Sequence, residues 1–291
     1  IRRPPRSTQS RSSAASDVYK RQIIASLFFV PLSLFAKWEE VRIGTEGAYP
    51  PWNGTNAAGE LEGAEIDMAT ELCYRMGVKC TFVAQDWDGI IPALLNKKYD
   101  VIIAGMSITE ERMEKVDFSV GYMTDGACLV VSKDSALASY QSELESVNLN
   151  NSDAATQKVV GSVVALLKGK KVGVQGGTIH QNFIEQYASS ALLKTYSTQD
   201  DLNLDLGAGR VEIGLADCGA FDDYMSKKEG SNLTSVSPSM GGGPFGDGVG
   251  GAFRKEDDDL REMFNDAIKA SLADGTISTI AKKWFGRDIS M

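Results

Sequence analysis

The chain has 291 residues, enough for two domains of ordinary size, and 43% of them are hydrophobic, so real cores can form. Its net charge of −9 is unevenly spread: residues 1–36 carry six Arg and Lys against Asp17 alone, leaving 24 basic against 38 acidic residues in the rest. A body that acidic argues against nucleic-acid binding, which needs clustered Lys and Arg, and its periodic apolar segments argue against disorder.

Residues 1–22 are Ser/Arg-rich, contain Pro4-Pro5 and show neither a helical nor a strand period, so they are expected to be an artefactual or disordered leader outside the fold. Ile23 to Ala36 is apolar, uncharged and interrupted by Pro31. At fourteen residues it is too short to span a bilayer and has the length of a signal-peptide apolar region, so export with a cut near Ala36 is expected.

From Lys37 onward, short β-branched runs alternate with amphipathic stretches, which predicts α/β layers with mostly parallel strands. Val41–Gly44 reads as a strand and Ile66–Met76 as a helix stopped by Gly77. Thr81–Val83 is the next strand, Ile90–Leu95 a helix and Val101–Ile103 a third strand. The same order then recurs: strand Val172–Val174, a helix from about His180 to Ala188, strand Leu193–Tyr196, helix Leu202–Leu206 and strand Glu212–Leu215. Gln85-Asp86 in the first series is echoed by Gln199-Asp200 in the second, and two lobes built on one plan explain the recurrence. Between them, about 134–169 reads as an insertion on the second lobe, polar at first and helical from Ala154 to Leu167. Gly241 to Gly248 is a glycine-rich loop that lacks the Lys and the strand–helix context of a phosphate-binding loop. Helices over Asp258–Ala273 and Thr276–Phe285 close the chain.

Ligands of open parallel sheets bind at the carboxyl ends of the strands, so the residues that follow each strand are the candidate site. The first lobe delivers Glu46 and Tyr49, then Trp87, then Ala104, Gly105, Met106 and Ser107 with Arg112 one turn on; the second delivers Gln175, Thr178, His180 and Asp217. Aromatics, carboxylates, one guanidinium and hydroxyls together suit a zwitterion with an additional cationic end. His180 and Cys218 have no spacing that supports a metal site, and neither a metal nor a cofactor is expected.

The stretch Gly63-Ala64-Glu65-Ile66-Asp67-Met68, with Leu72-Cys73 and Met76 behind it, resembles the signature of the polar amino-acid family of bacterial extracellular solute-binding proteins, although Ala64 stands where a larger residue is usual. Cys73 to Cys80, Asp88 to Pro92, Ser107-Ile108-Thr109 with Arg112, and Phe245 to Gly248 resemble its lysine/arginine/ornithine-binding branch. The insertion, Gly173 to His180 and Lys282 to Gly286 are similar to the octopine/nopaline-binding branch. The resemblance covers residues 38–291. It implies a two-lobed periplasmic binding protein, monomeric and without catalysis, that closes about a two-segment hinge and hands a basic amino acid or an opine to an ABC permease in the inner membrane. Lobe one would comprise 38–125 and 238–291, and lobe two 126–237.

By the same resemblance Arg112 clamps the α-carboxylate, Asp217 takes the α-ammonium, Glu46 meets the distal cation, and Tyr49 and Trp87 sandwich the ligand side chain. Ser107 and Thr178 add polar contacts to the carboxylate and His180 lines the cleft. Ala104 and Gly105, small where the basic branch carries serines, leave room for an opine. Matching family members bridge the positions of Cys73 and Cys80. In this fold class Ala127 to Val131 runs antiparallel to the strand ending at Leu215, which brings Cys128 and Cys218 together either as a second bridge or as two buried thiols. The rival from another class is a periplasmic enzyme on the same fold, of the cyclohexadienyl dehydratase kind, with Glu46 as its acid; no nucleophile–base pair is visible for it.

Overall fold

The computed structural model describes residues 38–151 and 153–291, so the expected leader, signal segment and cut at Ala36 lie outside the described residues. In the first lobe, strand Glu40–Thr45 lies between Lys79–Ala84 and Val101–Ile102, all parallel; Ala252–Phe253 and Asp117–Phe118 extend the sheet antiparallel. The second lobe repeats the order: Lys171–Gln175 lies between Leu192–Tyr196 and Ile213–Asp217, again all parallel. Each lobe thus places its first strand centrally and its second and third on either side, as the internal echo predicts.

The helices form because their apolar residues recur at helical spacing. In Ala64–Met76 the buried residues Ala64, Met68, Ala69, Leu72 and Cys73 make one stripe, which packs against the C-terminal helices Asp258–Ala273 and Thr276–Phe285. This helix begins two residues before the expected start. Gly63, at φ 135°, allows it: a Cβ there would stand 2.4 Å from the Trp52 carbonyl oxygen. Gly77 ends the helix in the left-handed conformation, its N–H shared by the carbonyls of Cys73 and Tyr74. On the other sheet face Ile90 and Leu94 pack with Tyr99 and Ile102. The second lobe is covered likewise, by Ala154–Leu167 and Ile179–Tyr187 on one side and by Gln199–Gly207 and Cys218–Ser226 on the other.

The insertion is part of that lobe's sheet, because Ser146–Asn148 runs parallel to Ser239–Gly241 at its edge. That pairing corrects the expected lobe boundary at 237. Ser239–Gly241 still pairs within the second sheet, and Phe245 packs in the second core against Phe183. The return to lobe one falls instead where Asp247 N–H bonds the Ile108 carbonyl and Val249 bridges Ser107 and Met123.

Strand Ala127–Ser132 runs antiparallel to Ile213–Asp217, with Ala216 opposite Cys128, and Cys128 and Cys218 form a disulfide. Cys73 and Cys80 form the other, tying the end of Ala64–Met76 to strand Lys79–Ala84.

Candidate ligand-binding cleft

The two lobes meet over a cavity of about 30 Å³, lined by eleven of the twelve expected residues. Room for one or two waters is far less than an amino-acid side chain needs, so a ligand enters only when the lobes separate. Hydrogen bonds cross the cleft between them. Gln175 Nε2 donates to Glu46 Oε1 at 2.6 Å, Trp87 Nε1 to the Gly177 carbonyl at 3.1 Å, Asn182 Nδ2 to Glu111 Oε2 at 3.0 Å, and the Asp217 N–H to the Tyr49 hydroxyl oxygen at 3.1 Å.

Glu46 and Tyr49 sit on a loop pinned by its own side chains. Asn53 Oδ1 accepts from the Gly47 N–H, the Thr55 hydroxyl donates to the Gly47 carbonyl, and Tyr49 and Asn53 exchange backbone bonds. Burial pushes the Glu46 carboxyl up to about 7. The Gln175 amide opposes that rise, and the negative charges of Asp86, Asp200 and Asp88 add to it. Asp217 closes strand Ile213–Asp217, and its carboxylate accepts no hydrogen bond among the described residues; His180 Nε2 lies 3.2 Å away. That nitrogen is buried without a hydrogen-bond partner, so His180 lines the cleft beside Asp217 rather than acting only as a helix-start residue. Its ring is tilted against Phe245, with centroids 6.1 Å apart.

Arg112 stands on the short helix Glu110–Met113, capped by the Thr109 side chain. Its Nη1 donates to the Ser107 carbonyl at 2.9 Å, and its guanidinium carbon lies 5.3 Å from the centre of the Trp87 ring. No carboxylate comes within ion-pair distance of it among the described residues, and burial pulls its pKa down to about 10. The Ser107 hydroxyl makes no hydrogen bond among the described residues, so it remains available to the cavity. Thr178, in contrast, caps helix Ile179–Tyr187 through Gln181 N–H and donates its hydroxyl to the Gln175 carbonyl.

Met106 departs from expectation. It is fully buried with Ile90, Leu94 and Tyr99, and touches only the neighbouring cavity beside Ile91. Ile102, Ala104 and Met106 alternate onto one apolar cluster, so Met106 faces the core while its neighbour Ser107 lines the cleft. Two residues were not foreseen. Ile179 lines the cavity. Glu65 is wholly buried and places the Gly105 backbone: its carboxylate accepts the Gly105 N–H at 2.8 Å, Asn53 Nδ2 at 2.8 Å and the Tyr122 hydroxyl. Burial raises its pKa against those three donors. The clue was its place in the quoted signature; its partners are far away in the chain.

A hinged two-lobed α/β fold whose facing strand ends close over a buried, charge-lined cavity defines a binding protein of the periplasmic type. The chain belongs to the bacterial extracellular solute-binding proteins, family 3, whose sequence model matches residues 41–287. It is 38% identical to the octopine-binding periplasmic protein of Rhizobium meliloti, over 93% of this chain and 98% of that one. It is 35% identical to the lysine/arginine/ornithine-binding periplasmic protein of Escherichia coli, over 91% and 97%. The crystal structure of a periplasmic His/Glu/Gln/Arg/opine family-binding protein from Silicibacter pomeroyi in complex with lysine is similar, with a TM-score of 0.67, 34% identity and coverage of 86% and 99%.

Proposed function

We propose that this chain is the periplasmic substrate-binding component of an ABC transporter, and that it captures a basic amino acid, or an opine built on one, by hinge closure. The observation that carries this is the charge pattern of the closed cleft. Among the described residues a buried guanidinium, Arg112, lacks a carboxylate partner, and two carboxylates, Glu46 and Asp217, face the same cavity without a Lys or Arg partner. Arg112 with Ser107 receives the ligand carboxylate, a fork geometry suited to guanidinium. Asp217 takes the α-ammonium and Glu46 the distal cation, with Tyr49 and Trp87 beside the side chain. Relatives that bind octopine or lysine, arginine and ornithine support this ligand class.

Calorimetry with L-arginine, L-lysine, L-ornithine, octopine and nopaline tests the proposal and divides plain amino acids from opines. Binding of none of them refutes it. The dehydratase alternative would use Glu46 as its acid, and product formation from prephenate or arogenate by the purified protein would establish it instead.

A further inference from the structure

Asp217 occupies the N-cap position of helix Cys218–Ser226, where an aspartate ordinarily turns its carboxylate onto the first N–H groups of the helix. Here it makes no such bond, and its carboxylate is left facing the cavity. The helix is capped from outside instead, by the segment that crosses between the lobes. The Cys218 N–H donates to the Gly126 carbonyl at 2.7 Å, and the Gly219 N–H to Asp125 Oδ2 at 2.6 Å. The second oxygen of Asp125 accepts from Arg287 Nη2 at 2.8 Å and from the Gly126 N–H at 3.0 Å, while Arg287 Nη1 reaches Asp222 on the same helix at 2.8 Å. The Asp125 side chain is only 3% exposed. The Cys128–Cys218 bridge locks this junction, and Phe285 packs so closely that a Cβ on Gly219 would stand 2.6 Å from its ring.

We infer that Asp125, oriented by Arg287, is a positioning residue for ligand recognition: it caps the helix in place of Asp217 and so leaves the Asp217 carboxylate free for the ligand ammonium. The inference rests on the role proposed for Asp217. Once Asp125 is removed, the Gly219 N–H is left without its acceptor and competes with the ligand for the carboxylate at the N-cap position, that of Asp217.

The test is a double-mutant cycle read by calorimetry with L-arginine on the wild type, Asp125→Ala, Asp217→Asn and the double variant. Asp125→Ala is expected to weaken binding about tenfold, the scale of one capping interaction. The double variant is expected to bind within twofold of Asp217→Asn, because no carboxylate remains to be freed. Losses that multiply in the double variant, or an Asp125→Ala affinity within twofold of wild type, would overturn the inference. Wild-type affinity in Asp217→Asn would instead overturn the ammonium role, and this inference with it. If Asp125→Ala does not fold, Arg287→Ala, which keeps the capping carboxylate but removes the group that orients it, enters the same cycle. It is then expected to lose about threefold alone and nothing further beside Asp217→Asn, and multiplying losses again overturn the inference.

Discussion

Glu46→Gln should make the ligand-free protein more stable while it removes a proposed ligand contact. The carboxyl sits at about 7 instead of 4.5, chiefly because it is buried. The folded state therefore holds a proton that the unfolded chain has released between those values, so stability falls as pH rises from 4.5 to 7 and the full cost persists above. A displacement of that size costs the ionised form roughly 3 kcal/mol. This is an upper bound, because opening the cleft restores water to the carboxylate. Glutamine keeps an oxygen for the Gln175 amide and carries no charge. Urea unfolding at pH 8 should show a gain of up to about 3 kcal/mol, and thermal unfolding a rise of about 2–4 °C for each kcal/mol gained. At pH 4.5 the gain should shrink to about 0.4 kcal/mol, since the folded state is then protonated and the unfolded chain half protonated. A variant no more stable than wild type at pH 8, or equally stabilised at both pH values, would refute the reasoning.

Arg112→Met should weaken binding at least ~30-fold by calorimetry, and Arg112→Lys should not restore it, because an ammonium lacks the planar fork. Glu65→Ala strands the Gly105 N–H and the Asn53 amide in the core; chemical denaturation should show a loss of about 3 kcal/mol, accompanied by weaker binding. Replacing both Cys128 and Cys218 by Ser opens a link across 90 residues and should cost about 4–5 kcal/mol. The Cys73–Cys80 pair, seven apart, should cost about 2–3 kcal/mol in the same denaturation assay.

Much of the cleft was legible because its residues follow strand ends, and the end of a parallel strand can be found from a β-branched run and the loop after it. What escaped depended on distances that no local pattern encodes. Glu65 meets Gly105 and Tyr122 across 40 and 57 residues, and Asp125 caps Gly219 across 94. Asp117–Phe118 and Ala252–Phe253 are two residues long, too short to display an alternation. Helix Cys218–Ser226 was missed because its small and polar residues obscure the stripe that buries Phe221. Met106 was misplaced because it continues the alternation of Ile102 and Ala104 into the apolar cluster, past the end of the strand that the β-branched run marks. The Cys128–Cys218 bridge was open from sequence because it depends on an antiparallel register, Ala216 opposite Cys128.

On the proposed ligand roles, the same charge pattern that lowers stability would set the discrimination of the cleft. A ligand favours closure only by the difference between its interactions in the closed and open forms. In the proposed site any L-amino acid would bring a carboxylate to Arg112 and an ammonium to Asp217, so those contacts would select the backbone and not the side chain. In the proposed site Glu46 is the carboxylate that separates a cationic side chain from a neutral one of similar length. With the neutral ligand its carboxyl remains buried among the charges of Asp86, Asp88 and Asp200 and must either ionise at a cost or keep its proton. With the cationic ligand the ionised form gains its missing partner, and the difference is bounded by the same roughly 3 kcal/mol, about a hundredfold in affinity. L-arginine should therefore bind up to about a hundredfold more tightly than L-norleucine at pH 8. The ratio should narrow as pH falls below about 7, because a protonated Glu46 no longer distinguishes the two. A ratio that holds unchanged down to pH 5 in titration calorimetry would place the cation elsewhere in the cleft.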